Sequence, residues 1–217
     1  MALDTSKDGL RLGGFGSTVA GVAGIVGLGG IAATIGLDGI AGSAMFWKSY
    51  LLAFMVAVAV CLGALFFVML QHATKAGWSV TVRRPAEAIA SNLQWLWILF
   101  IPILVLVWTG KGAVLFEWCD VSYMHSDHLL EGKMSYLNTT FWSIRAIVYL
   151  AVWALLTRFY RSQSVAQDHD GDVRHTLRMQ WWAPIGLILY ALTQTFASID
   201  WIMAIQPKWF STMFGVY

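Results

Sequence analysis

Two charged residues, Arg145 and Asp200, lie inside long apolar stretches of the sequence. A charge at the centre of a membrane-spanning helix costs about 2.5–3.5 kcal/mol on insertion scales, so such residues pair, face the interior of a helix bundle or line a path for ions or substrate. Counting along the two stretches places both residues in the same half of a membrane. One hypothesis is a site that relays protons or binds a quinol headgroup. The alternative is an ion pair that only stabilises the bundle.

The histidines and cysteines offer little metal chemistry. His125 and His128 are three residues apart beside Asp127, and one helical turn could present both to a metal ion. Neither a cysteine nor a third histidine lies near them, so we predict no metal site there. The two cysteines, Cys61 and Cys119, are too few for a disulfide framework or a four-thiolate cluster. We therefore expect this chain to bind no redox metal on its own.

The composition is that of a membrane protein. Of the 217 residues, 58% are hydrophobic and only 12% are charged, whereas a soluble domain carries about 25% charged residues. The mean hydropathy is +0.64. These values exclude a soluble enzyme, a disordered chain and a nucleic-acid-binding domain, and the net charge of +2 is too small for a polyanion-binding surface. The 12 tryptophans suit the aromatic belts of a membrane interface.

Five apolar stretches are long enough to cross a bilayer, which takes about 20 residues as a helix. They cover about 12–37, 49–72, 88–109, 137–159 and 181–205. We predict an all-α, polytopic transmembrane helix bundle that forms a single membrane domain over 1–217. A signal peptide is the rival interpretation of the first stretch, but the apolar run exceeds the usual length of about 7–15 residues.

The basic residues set the expected orientation. Most fall on one side of the predicted spans, namely Lys7, Arg11, Lys75, Arg83, Arg84, Arg158, Arg161, Arg174 and Arg178. The positive-inside rule therefore places the N-terminus in the cytoplasm. The predicted outer loop, 110–136, is net acidic and rich in aromatic residues, which favours a folded surface. The predicted inner loop, 160–178, is polar, and we expect it to be mobile.

The two ends of the chain carry further signals. Glycines recur in the first apolar stretch, and small residues let helix backbones approach closely in a membrane, so we predict a helix-packing face there. After Pro207 the sequence continues as an aromatic stretch that is typical of the start of another helix. We therefore expect the chain to be truncated at its C-terminus.

Three motifs resemble a known family. The first comprises Ala76-Gly77-Trp78-Ser79, Arg83-Arg84 and Glu87; the second Tyr136-Leu137-Asn138, Phe141-Trp142 and Arg145; the third Asp200-Trp201-Ile202-Met203, Pro207 and the run from Trp209 to Tyr217. Together they resemble the integral membrane subunits of alternative complex III, the bacterial quinol:electron-acceptor oxidoreductase. These subunits belong to the wider NrfD or polysulfide-reductase membrane-subunit family.

The resemblance implies a fold and a setting. Family members have about ten transmembrane helices, and this chain resembles their N-terminal half. Membership implies a multi-subunit respiratory complex in the bacterial inner (cytoplasmic) membrane, with haem c and iron–sulfur clusters in partner subunits and menaquinol or ubiquinol as the electron donor. Of the two paralogous membrane subunits, we favour the second, because the outer loop lacks an obvious buried histidine–aspartate pair.

The resemblance also suggests roles for individual residues. We expect Asp200 to accept or relay protons and Arg145 to set its pKa by pairing. Trp201, His125 and His128 are candidates for binding the quinol, and either histidine could carry protons to the outer water because histidine titrates near neutral pH. The alternative is a structural membrane anchor without a quinone site. A free-standing transporter would need an inverted repeat and broken helices, which the five stretches do not show.

Overall fold

The protein is helical throughout its described part. The structure, a computed structural model, describes residues 13–38, 44–211, 213 and 215. Helix makes up 82% of it, and these residues contain no strand. The chain divides into two compact units, Met1–Trp47 and Lys48–Tyr217. The predicted all-α architecture is confirmed.

The first unit contains helix α1, Gly13–Asp38. This helix coincides with the first predicted span. The apolar stretch found among its described residues, Gly16–Gly30, is shorter than the roughly 20 residues that a helix needs to cross a bilayer. A fifth span and a glycine packing face in α1 therefore stay predictions.

Among the described residues, four helical segments are long and apolar enough to cross a membrane, and all of them follow α1. They are α2, Ala44–Ala73; α3, Val80–Ala90, continued by a 3-10 turn and α4, Leu96–Trp108; α7, Thr139–Asp170; and α8, Val173–Trp201. They match the other four predicted spans and fit a helical bundle. Since only 33–39% of the most apolar window of each segment is buried, much apolar surface remains for lipid or for other chains.

The predicted mobile loop at 160–178 is wrong. Helix α7 continues to Asp170 and α8 begins at Val173, so only Gly171 and Asp172 separate them. Gly171 adopts φ +67° and ends α7 in the left-handed conformation that glycine favours. Across this turn, His175 Nε2 lies 2.9 Å from Asp170 Oδ2. Polar residues therefore extend two helices beyond the apolar region and close a tight hairpin.

The third span begins earlier than predicted. The sequence predicts a start near 88, but α3 already begins at Val80. The Ser79 carbonyl oxygen accepts hydrogen bonds from the backbone of Val82 and Arg83, which starts the helix. Pro85 lies inside α3. Arg83 is therefore presented by a helix and not by a loop.

The outer segment, 110–136, is folded as predicted. It contains two 3-10 turns, Gly112–Val114 and Glu117–Cys119, and two short helices, α5, Val121–Met124, and α6, His128–Glu131. Its apolar side chains form a buried layer that contains Leu115, Phe116, Trp118, Met124 and Leu130. Phe116 and Trp118, which lie in a predicted loop, are therefore part of the buried core of this segment.

Substitution of Gly112 by alanine should destabilise this outer segment. A Cβ atom at Gly112 would lie 2.6 Å from the Cys119 Sγ and 3.1 Å from the Val107 Cα. We expect Gly112→Ala to lower the free energy of unfolding by about 1–3 kcal/mol, as overpacking does. Thermal unfolding in detergent measures the loss. Gly132→Ala is the matched control, because the nearest atom there is 3.7 Å away; equal melting temperatures for the two variants would contradict the described packing.

Candidate functional site

Arg145 of α7 and Asp200 of α8 form a bidentate ion pair. Arg145 Nε donates to Asp200 Oδ2 at 2.7 Å, and Arg145 Nη2 donates to Oδ1 at 2.8 Å. The Asp200 side chain is 0% exposed and that of Arg145 is 11% exposed. The planar guanidinium matches the carboxylate with two parallel hydrogen bonds, which is the strongest geometry for such a pair. The sequence prediction that these two residues pair is thereby met in the structure.

Other donors complete the shell of this pair. The Tyr149 hydroxyl donates to Asp200 Oδ2 at 2.7 Å, so three hydrogen bonds reach the carboxylate. The indole nitrogen of Trp142 donates to the Asp200 backbone carbonyl at 2.9 Å, and Arg145 Nη1 donates to the Tyr136 carbonyl at 3.0 Å. A buried ion pair offsets its desolvation only when such additional bonds satisfy it. The shell also ties α7, α8 and the outer segment together.

Two aromatic rings enclose the guanidinium. Arg145 Cζ lies 3.8 Å from the ring centroid of Tyr136 and 4.4 Å from that of Phe141. Such cation–π contacts stabilise a desolvated arginine. Burial, and next the negative charge of Asp200, raise the pKa of Tyr136 to about 12. The phenol therefore stays neutral at physiological pH and adds no second negative charge to the site.

Trp201, directly after Asp200, lies at the centre of an aromatic cluster. Its ring centroid is 4.8 Å from that of Phe100, 5.6 Å from Trp153 and 6.0 Å from Tyr149. The residue is 1% exposed. Its indole nitrogen is buried and has no hydrogen-bond partner in the described part of the chain. Leaving a buried donor unsatisfied costs about 1–3 kcal/mol, so we expect this N–H to donate a hydrogen bond to a bound group.

A cavity of about 310 Å³ lies beside Trp201, between α2, α7 and α8. Apolar side chains dominate its walls, and Gln194 and Ser198 are the polar side chains among its described lining. Sequence reasoning missed these two. Their i, i+4 spacing on α8 places them on one helix face, which is the signal that could have found them. The lining includes Trp201 but neither Arg145 nor Asp200.

The two candidate histidines lie elsewhere, on the exposed surface of the outer segment. His125 Nδ1 is 3.1 Å from Glu131 Oε1, and both side chains are about half exposed. His128 begins α6, and the Asp127 side chain caps that helix by accepting from the Leu129 backbone N–H. The structure thus brings Arg145, Asp200 and Trp201 together and leaves both histidines at the surface. Among the described residues, no group of three or more histidine, cysteine or acidic side chains could hold a metal ion.

The outer segment is joined to the residues after α8. Lys133 Nζ donates to the Pro207 carbonyl at 2.5 Å, and Lys208 Nζ lies 3.5 Å from Asp127 Oδ2. The last two of the three family-like motifs therefore meet at one end of the helices. The Tyr136 ring of the outer segment lies over the Arg145 guanidinium, so this segment is in contact with the ion pair.

Comparison with known proteins adds no relative: no family model matches the sequence, and no curated protein matches it significantly. The resemblance to alternative complex III therefore rests on the three motifs alone.

Removing one partner of the ion pair should cost more than removing both. Arg145→Gln leaves a buried carboxylate without its cation, and we expect the free energy of unfolding to fall by about 3–5 kcal/mol. The double variant Arg145→Gln/Asp200→Asn should lose less than the sum of the single losses, with a coupling of about 0.5–3 kcal/mol. Unfolding in mixed micelles with increasing sodium dodecyl sulfate measures each loss.

The control for this cycle is Arg178→Gln, since Arg178 is an exposed arginine near the far end of α8. It should leave the unfolding free energy nearly unchanged. Additive losses at Arg145 and Asp200 would show that the two side chains do not interact in the folded protein.

Proposed function

We propose that this chain is a membrane subunit of a bacterial respiratory quinol:electron-acceptor oxidoreductase that resembles alternative complex III. In this proposal it binds a quinol ring beside Trp201 and anchors partner subunits that carry haem c and iron–sulfur clusters. Two observations carry the quinol site: Trp201 lines an apolar cavity, and its buried indole N–H has no hydrogen-bond partner among the described residues. The partners and the electron-transfer role rest on the resemblance.

The chemistry of the cavity suits a quinol. A quinol combines a flat ring, polar oxygens and a long apolar tail. Trp153 and Trp201 contribute aromatic side chains to the lining, and the Trp201 N–H is a donor without a described partner that a ring oxygen could satisfy. Ligand sites of this kind are mostly apolar with a few convergent polar groups, and about 310 Å³ lies at the lower end of their usual range. Val56, another lining residue, is 57% exposed, which leaves a way for the tail to reach lipid.

The ion pair has a positioning role in this proposal. Oxidation of a quinol to a quinone releases two protons and two electrons, and the partner subunits' haem c and iron–sulfur clusters would accept the electrons. Arg145 and Tyr149 hold Asp200, and Asp200 precedes Trp201, so the pair fixes the end of α8 that lines the cavity. Proton relay through Asp200 stays a prediction.

A structural anchor without a quinone site is the second candidate. The observation that favours it is the complete enclosure of the Asp200 carboxylate, which is 0% exposed and already accepts three hydrogen bonds. A dry, satisfied pair needs no proton exchange to explain it. In this reading a lipid chain fills the cavity beside Trp201, and the outer segment alone holds the partner subunits.

The proposed location is the bacterial cytoplasmic membrane, with the N-terminus in the cytoplasm. The α7–α8 hairpin carries basic residues near its turn, including Arg161, Arg174 and Arg178, whereas Arg145 and Asp200 lie near the opposite ends of these helices. The positive-inside rule then assigns the hairpin turn to the cytoplasm and the ion pair to the outer side.

Trp201→Phe should weaken quinol binding while it keeps the aromatic packing. Loss of the N–H removes about 0.5–1.5 kcal/mol of hydrogen bonding, which corresponds to an affinity about tenfold lower at most. Calorimetric titration of the purified complex with a short-tailed ubiquinone or menaquinone analogue measures this affinity. The control is Trp95→Phe, because Trp95 is 67% exposed and lies outside the cavity lining.

Equal affinities for the wild type and a folded Trp201→Phe variant would contradict a quinol at this indole. An absence of analogue binding by the wild-type complex would favour the structural anchor.

A further inference from the structure

A second polar site lies at the hairpin end of the bundle, apart from the proposed quinol cavity. It is a cavity of about 520 Å³ between the end of α2, the start of α3 and the parts of α7 and α8 near their turn. The described lining includes Gln71, His72, Lys75, Arg83 and Arg84. Neither the quinol site nor the ion pair uses these residues.

Three polar atoms in this lining are buried without a hydrogen-bond partner among the described residues. They are His72 Nε2, Gln71 Oε1 and Arg83 Nε. The His72 side chain is 1% exposed and that of Gln71 is 7% exposed, so both exceed nine-tenths burial. Buried polar groups in proteins almost always have partners, and a missing one costs about 1–3 kcal/mol. These atoms therefore indicate a polar occupant for the cavity.

The charges around the cavity leave an excess of cations. Glu87 and Asp168 also line the cavity and both pair with Arg84, so three cationic side chains in the lining face two carboxylates, an excess of one positive charge. No described carboxylate pairs with Arg83 or Lys75 within the 4.0 Å limit of a salt bridge. The two open cations and the unpartnered His72 nitrogen favour an anion. The ion pair between Arg84 and Asp168 connects α3 to α7 beside the cavity.

The start of α3 adds to this positive field. The helix has 11 residues, begins at Val80 and has no side chain capping its N-terminus. Ala76, Gly77 and Val80 line the cavity, so backbone at the positive end of the helix dipole borders it. Arg83 is held there as well, since its Nη2 donates to the Ala76 carbonyl at 3.1 Å and to Ser79 Oγ at 3.2 Å. Helix N-termini with nearby cations are established binding places for phosphate groups.

We propose that this cavity binds the phosphate group of an anionic ligand. Arg83 and Lys75 supply the charge, His72 Nε2 donates to a phosphate oxygen, and Gln71 Oε1 accepts from a neighbouring hydroxyl. A lipid headgroup such as that of phosphatidylglycerol carries both groups, and basic pockets between membrane helices on the cytoplasmic side bind such headgroups. Free phosphate carries the same anionic group but lacks the neighbouring hydroxyl groups of the lipid headgroup.

Native mass spectrometry of the intact complex tests the site. The complex is equilibrated in detergent with phosphatidylglycerol, phosphatidylcholine or inorganic phosphate, and retained ligand is quantified at each concentration. We expect phosphatidylglycerol to be retained over phosphatidylcholine, and Arg83→Gln to weaken that retention about fivefold. The control is Arg178→Gln, which also removes one positive charge. Arg178 lies near the hairpin end of α8 but outside the cavity lining, so this variant should change retention by about twofold or less.

Lys75→Gln provides a second variant in case Arg83→Gln fails to fold, because the Lys75 side chain is exposed and makes no ion pair with a described carboxylate. Displacement of the lipid by inorganic phosphate would identify free phosphate as a competing ligand of the same site. Equal losses in the Arg83 and Arg178 variants, or equal retention of phosphatidylcholine, would overturn the proposal. Quinone-analogue affinity should not change in either variant, so failure here is distinguishable from failure of the quinol site.

Discussion

The bidentate contact between Arg145 and Asp200 is the interaction on which the rest of this structure depends. A carboxylate with no exposed surface is stable only if donors replace the water that it loses, and here two guanidinium nitrogens and the Tyr149 hydroxyl do so. Removing Arg145 would leave Asp200 Oδ1 without its donor and the buried carboxylate without its cation. The pair thereby specifies the relative position of α7 and α8 more sharply than apolar packing between two membrane helices would.

Several features follow from that constraint. Because the Trp142 indole and the Arg145 guanidinium both reach backbone carbonyls, at Asp200 and Tyr136, the outer segment and the end of α8 are fixed together. Trp201 then lies in the aromatic cluster and also lines the apolar cavity. The bundle is consequently asymmetric, with a sealed ion pair under a folded surface at one end and an open basic cavity at the other.

Apolar length and intramembrane charge made the core of this architecture predictable. The four long spans follow from hydropathy. The pairing of Arg145 with Asp200 follows from their depth, because two opposite charges in the same half of a membrane helix bundle are stabilised by pairing. Tyr149 was missed, although it lies one turn beyond Arg145 on α7, where i, i+4 neighbours share a face. The sequence also contained the signal for the tight hairpin, because Gly171 between two polar runs is a typical helix end.

The rest was beyond sequence reasoning for physical reasons. Polar composition does not distinguish a solvated helix from a loop, which is why the 160–178 segment was misjudged. The basic cavity joins the end of α2, the start of α3 and the α7–α8 hairpin, so its unpartnered His72 and Arg83 atoms become visible only once these helices are placed together. The exposed positions of His125 and His128 likewise depend on how α5 and α6 fold over the bundle.

The proposed role, as a membrane subunit of a quinol-oxidising complex, requires redox subunits that stay bound to this chain. Purification from native membranes in mild detergent, followed by visible absorption spectroscopy and mass spectrometry of every retained subunit, tests for them. Haem c and iron–sulfur subunits should accompany the chain, and the haem absorption should change when added quinol reduces the haem. Isolation of the chain alone, without chromophores, from membranes that contain it in quantity would show that the chain does not have this role.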